Sequence, residues 1–163
     1  MISTGIRTRA RATALAARLG DEGMAADAIA DLEAAVRQAQ VITSVTRSHM
    51  PLIHGSWLGS GVHLDLVGGY TPETREADDE AVRRSRIFVD RLESAFDVGD
   101  IQQPIVTGAI RKDDVLGDLY DLVGGAVPGR LGGKDITLFK NAGGGHLDLM
   151  TAQAIMSQLE ADL

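Results

Sequence analysis

The chain contains no cysteine. Disulfide scaffolds, thiolate metal sites and cysteine nucleophiles are therefore excluded. Aromatic residues make up only 4% of it, so a core has to be assembled mainly from Leu, Ile, Val and Ala. Positive charge is in the minority, since 16 Lys and Arg against 23 Asp and Glu give a formal net charge of −7. An acidic surface argues against nonspecific association with nucleic acid or anionic membrane. No apolar run approaches the roughly 20 residues that span a bilayer. No secretory leader is visible either, because residues 1–11 are polar and basic with no apolar stretch behind them. The expectation is a cytoplasmic protein with no membrane partner. The histidines, His49, His54, His63 and His146, show neither an i, i+4 helical pair nor zinc-ligand spacing, so no metal is expected. A G-x-S-x-G nucleophile elbow is also absent, which leaves hydrolase chemistry unsupported.

What the sequence does contain is alternation. Residues 2–6 read as a short strand, and residues 9–19 as an Ala-, Leu- and Arg-rich helix stopped at Gly20. A second helix is expected over 31–39, followed by a β-branched strand over 41–45. Strands are also expected at 63–67, 86–90 and 136–139, and helices at 78–84, 92–96 and 115–123. In the 78–84 helix the acids precede the arginines, the order that the helix dipole favours. Residues 124–133, with five glycines and a proline, must be a loop. Residues 147–163 close the chain as a helix with Leu149, Ala152, Ile155, Met156 and Leu159 on one side. Strands alternating with helices imply a parallel sheet with helices on both faces. No linker divides residues 1–163, so one α/β domain is expected.

Three segments raise questions of chemistry. Residues 129–135 look like a phosphate loop at first, but Pro128 stands where that loop needs glycine, and Asp135 follows Lys134 where it needs Ser or Thr. A surface loop is the better reading. Gly143-Gly144-Gly145 lies between a strand and a helix. It is either a plain turn or a place where bare amides approach a ligand. Arg7 ends the first candidate strand and Thr8 precedes a helix. At the end of the second strand of a dinucleotide-binding sheet, an arginine can neutralise the 2′-phosphate of NADP. A solvated basic patch is the alternative.

Longer motifs carry a resemblance. Residues 61–72 read Gly-Val-His-Leu-Asp-Leu-Val-Gly-Gly-Tyr-Thr-Pro and are followed by Arg75-Glu76-Ala77-Asp78. Then come Val89-Asp90, Gly99-Asp100, Gly117-Asp118-Leu119, and Gly125 with Pro128-Gly129-Arg130. Asp135-Ile136-Thr137-Leu138-Phe139-Lys140 precedes Gly143 and Asp148. Together these resemble the ornithine cyclodeaminase/mu-crystallin family over about residues 2–156, with the likeness strongest to Δ1-pyrroline-2-carboxylate (ketimine) reductases.

The resemblance implies a Rossmann-like domain that binds a nicotinamide dinucleotide and reduces a cyclic ketimine, with a cyclic imine or amino acid as its small-molecule partner. Arg7 and Thr8 resemble the pair around the NADPH phosphate, so NADP(H) is expected over NAD(H). Ser44, Val45 and Thr46 fall where a strand end passes the dinucleotide. Val67, Gly68 and Gly69 resemble the backbone beside the nicotinamide. Asn141, Ala142 and Gly143 match the family's Ser-Val-Gly pocket closure, with departures at Asn141 and Ala142.

Tyr70 stands where cyclodeaminases of the family carry an acid/base aspartate. Its presence disfavours cyclodeamination proper and favours simple imine reduction. The domain is further expected to lack its opening strand and glycine-rich loop, along with the family's preceding segment for substrate binding and dimerisation. A homo-oligomer is compatible with the resemblance. The alternative to a working reductase is a truncated member that at most binds nucleotide. No catalytic residue is assigned.

Overall fold

A computed structural model describes residues 2–4 and 8–161. The chain builds two all-parallel sheets. The smaller pairs β1 (Ile2–Thr4) with β2 (Ala26–Ala28), connected by helix α1 (Arg9–Asp21). The larger has five strands: β3 (Val41–Ser44), β4 (His63–Leu66), β5 (Ser85–Val89), β6 (Val115–Asp118) and β7 (Ile136–Lys140). Their spatial order is β3-β4-β7-β5-β6. The last strand in sequence thus lies at the centre. Helices α2 (Leu32–Gln38), α3 (Asp79–Arg83), α4 (Leu92–Ala95), α5 (Gly99–Val106) and α6 (Leu119–Gly124) connect the strands, and α7 (Gly145–Ala161) follows β7. This is the parallel α/β arrangement that the alternation implied and the Rossmann-like fold that the resemblance implied.

Local chemistry sets many of the helix starts. Asp31 accepts from the Ala34 amide at 3.0 Å and Asp78 from the Ala81 amide at 2.8 Å. Asp118 accepts from the Tyr120 and Asp121 amides at 2.9 and 3.1 Å. Each carboxylate satisfies amides that the first turn leaves without helical partners. The core lies around the five-stranded sheet, where Leu64, Leu66, Ile87, Val89 and Leu138 are buried with Val82 and Ile101 from the covering helices. β4, β7 and β5 are flanked by a strand on each side. β5 and β7 accordingly carry runs of buried residues with little alternation, whereas β4 alternates, burying Leu64 and Leu66 but not His63 and Asp65.

The structure departs from the sequence reading at five places. Residues 115–123 are not one helix but β6 followed by α6. The apolar spacing there runs across a joint at Asp118, whose side chain caps α6 and so fixes where helix begins. β2 and α5 were not anticipated, because β2 is a three-residue Ala-Asp-Ala strand and α5 contains Pro104, which reads as a breaker. Gly20 does not stop α1, which continues to Asp21 with Glu22 at its C-cap. α7 starts at Gly145, and its apolar residues do not pack. Leu149, Met150, Ile155, Met156 and Leu159 are 55–60% exposed.

Candidate nucleotide-binding site

In an open parallel sheet, ligands bind outside the carboxyl ends of the strands. Three of the expected segments come together there. Residues 44–46 leave β3, residues 67–69 leave β4 and residues 141–143 leave β7, and these strands are consecutive neighbours in the sheet. Backbone bonds carry the pairing past the strand ends. The Val67 amide donates to the Ser44 carbonyl at 2.9 Å, and the Asn141 amide to the Leu66 carbonyl at 2.9 Å.

The loops are held from beneath by acids, none of which the sequence reading assigned a role. Glu76 is fully buried. Its Oε1 accepts from Ser44 Oγ at 2.7 Å and from the Thr46 amide at 2.5 Å, while its Oε2 accepts from the Gly68 amide at 2.6 Å. One carboxylate thereby ties the end of β3 to the end of β4. Asp90, also buried, follows β5 and accepts from the amides of Ala142 and Gly143, each at 3.0 Å, and from Arg91 at 2.9 Å. It ties the end of β5 to the loop after β7. Asp100, in the first turn of α5, accepts from the Glu76 amide at 2.7 Å and thus holds the first clamp in place.

The other oxygen of Asp100 lies 3.1 Å from Lys140 Nζ, and both side chains are completely buried. Neither of those two atoms has a hydrogen-bond partner beyond this ionic contact. Burial pushes the Asp100 carboxyl above the ordinary carboxylate range, and the ammonium of Lys140 is the chief opposing influence. Taking charges this far from water is costly even when they are paired.

The acids also explain the glycine pair. A Cβ on Gly68 would overlap the Thr46 backbone and Glu76 Oε1, and one on Gly69 would overlap the Asp100 carboxylate. Gly143 is different. Its surroundings are open, but its φ of +82° is one that L side chains rarely adopt. Above the clamps Gly143 is exposed and Val45 is 67% exposed, whereas Gly68 and Gly69 are buried. The result is a set of small or uncharged groups on a fixed backbone, suited to lie against a flat heteroaromatic ring.

One described site residue does not join this group. Thr8 caps the start of α1 without a side-chain cap bond, in the smaller sheet. Arg7 lies outside the described residues. The loop at 129–135 is explained without a ligand, because Asp135 accepts from the amides of Leu131 and Gly132 at 2.9 and 3.0 Å. Those bonds hold its carboxyl below the usual range. The chain's own anion occupies the amides that suggested phosphate. Of the acids, only their positions hinted at a role. Asp90 and Lys140 each end an apolar strand run, where a charge has to be either solvated or paired.

An open parallel sheet with glycine-bearing loops over its carboxyl edge places the chain in the Rossmann-like α/β class. The model of the ornithine cyclodeaminase/mu-crystallin family matches residues 3–162, and the chain belongs to that family. It is 45% identical over 139 residues to a Δ1-pyrroline-2-carboxylate reductase of Paracoccus denitrificans, a match that covers 83% of this chain and 44% of the relative. The iminosuccinate reductase of the same organism, solved in complex with NAD+, superimposes with a TM-score of 0.88 at 30% identity, covering 98% of this chain and 49% of that one. A Thermococcus litoralis Δ1-pyrroline-2-carboxylate reductase, solved with NADH and L-proline, gives a TM-score of 0.84 at 27% identity, covering 86% and 44% of the two chains. The chain therefore spans about half the length of the relatives it matches.

Proposed function

We propose that this chain forms the nicotinamide-facing half of an NAD(P)H-dependent reductase of a cyclic ketimine such as Δ1-pyrroline-2-carboxylate. The observation that carries the reading is the Glu76 clamp. By holding the Thr46 and Gly68 amides on one buried carboxylate, it fixes two adjacent loops at the sheet edge where a dinucleotide lies. Ser44, Val45, Thr46, Val67, Gly68, Gly69, Asn141 and Gly143 would line the cofactor. When bound, the dihydronicotinamide supplies a hydride. The chain's own contribution is to hold the ring in one orientation and to keep water from beneath it. Glu76, Asp90 and Asp100 are not placed to cycle a proton at this surface, because all three are buried and engaged with backbone amides. This agrees with imine reduction rather than cyclodeamination.

We further propose that NADP(H) is preferred to NAD(H), through Arg7 and Thr8 after β1. The test is calorimetric titration of the chain with NADPH and NADH, followed by NADPH consumption with Δ1-pyrroline-2-carboxylate. Binding of NADPH at least tenfold tighter than NADH supports the preference, and loss of that difference in Arg7→Ala assigns it to Arg7. Equal affinities remove the preference. Binding with no turnover above a buffer blank favours the alternative of a nucleotide-binding chain without catalysis, a reading supported by the largely uncovered α7. No binding of either nucleotide overturns the proposal.

A further inference from the structure

Buried charge beneath the candidate site is unbalanced. Glu76, Asp90 and Asp100 are each at most 1% exposed, and the buried cations near them among the described residues are Lys140 and Arg75. Lys140 is matched by Asp100, and the Arg75 guanidinium is turned to Asp79 and the Ala77 carbonyl. Among the described residues Glu76 and Asp90 have no cationic partner in contact, and their oxygens are taken by backbone amides and the Ser44 hydroxyl. Amides orient and stabilise a carboxylate but do not cancel its charge at a distance. Glu76 lies immediately under the loop that presents Gly68, in contact with that residue's amide. Its field therefore acts on whatever rests against the loop, through a medium that screens far less than water.

A nicotinamide ring is cationic when oxidised and neutral when reduced. A fixed negative charge beneath it stabilises the first form and is nearly indifferent to the second. We propose that Glu76, besides fixing the backbone, biases the site electrostatically toward the oxidised nucleotide and so sets the ratio of affinities for the two redox forms. This inference rests on the nicotinamide-binding reading. It goes beyond that reading by assigning a buried residue, which touches no ligand directly, to the selection between oxidised and reduced cofactor.

The test is Glu76→Gln, which keeps the size and most of the hydrogen-bonding capacity while removing the charge. Dissociation constants are measured for NADP+ and NADPH, and again for NAD+ and NADH, on the full chain, with circular dichroism to confirm the fold. The expected result is that the ratio of oxidised to reduced dissociation constants rises at least tenfold, the scale of one unit charge about 12 Å away at an effective dielectric of about 20, and further if the ring rests nearer. A merely structural role would weaken both forms by the same factor, and that outcome overturns the proposal, as does an unchanged pair of constants. If Glu76→Gln does not fold, Glu76→Asp keeps the charge while shortening the side chain. It should leave the ratio unchanged even where both affinities fall, and a ratio that moves there as far as the tenfold expected of charge removal overturns the proposal. Wild-type chain that binds none of the four nucleotides defeats the nicotinamide reading itself, and the inference with it. Wild-type chain that binds normally while Glu76→Gln leaves the ratio unchanged defeats the electrostatic role alone.

Discussion

β7 and α7 are neighbours in sequence, joined through residues 141–144, and both are rich in apolar side chains. Their fates are opposite. β7 runs between β4 and β5 at the centre of the sheet, and Leu138 and even Lys140 are completely excluded from water. α7 leaves Leu149, Met150, Ile155, Met156 and Leu159 largely exposed. An apolar stripe records a preference for a partner, but burial requires that the partner be there. β3 repeats the lesson within the sheet. It pairs with β4 on one side only, and Val41 is 64% exposed although β-branched residues favour strands. Helix α1, which joins the strands of the smaller sheet, is similar, since its buried residues Ala12 and Ala16 lie outside the main core. The stability of this chain therefore resides in β4, β7, β5 and the helices over them, and the candidate site is anchored to that part.

The largest effect expected is at the centre of β7. Lys140→Met removes one partner of a fully buried ion pair and leaves Asp100 uncompensated, which should cost about 3–5 kcal/mol at pH 7. The deficit should depend on pH, with a sign fixed by Asp100. Its folded pKa is already raised by burial, and Lys140 is the main influence holding it down. With the ammonium gone it rises further. The folded variant then binds a proton at a pH where the unfolded chain does not, so folding is favoured as pH falls. Urea unfolding of wild type and variant at pH 7 and pH 5 measures this. A gap that does not narrow at pH 5 would show that Asp100 is not the group left exposed to the loss.

Next in size is a direct contrast between the two regions. Leu138→Ala should cost roughly 2–5 kcal/mol, the range for emptying a packed leucine site. Leu159→Ala, on a helix with that side chain 55% exposed, should stay within about 0.5 kcal/mol. Denaturant midpoints with unchanged m-values decide it. Comparable costs at the two positions would mean that α7 is covered in solution, and the distinction between the regions would collapse.

The contrast also accounts for what was legible in the sequence. Strands β3, β4, β5 and β7 announce themselves, because β-branched and apolar runs bounded by glycine or charge have few other uses. The loop segments at 44–46, 67–69 and 141–143 were legible through motif resemblance, and the sheet order makes them adjacent. The clamps were not. Nothing in the local spacing of Glu76 says that it turns inward to meet Thr46 and Gly68, since those partners come from other strands. Asp100 finds Lys140 across forty residues of intervening chain, and sequence periodicity holds no record of such a pairing. The α7 stripe was legible as a pattern, but a pattern does not say whether its partner is there.

The smallest effect expected lies at the opposite end of the sheet from the site. His63 opens β4 and its Nδ1 is 2.8 Å from Thr137 Oγ1. Burial lowers its pKa, with Arg130 contributing in the same direction and Asp65 opposing. The unfolded chain therefore takes up a proton at His63 before the folded chain does. Stability from this group is fully present above the ordinary histidine range and is lost as pH falls through it toward the depressed folded value. His63→Gln, which can still bond to Thr137, should flatten the slope of unfolding free energy between pH 7 and pH 5.5 while leaving nucleotide affinity unchanged. The second half of that expectation follows from geometry. His63 is at the amino end of β4 and Gly68 lies beyond its carboxyl end, separated by a strand of about 3.3 Å per residue. A His63 variant that altered nucleotide binding would mean that the two ends of the sheet communicate, and that the carboxyl-edge clamps are less self-contained than their buried hydrogen bonds imply.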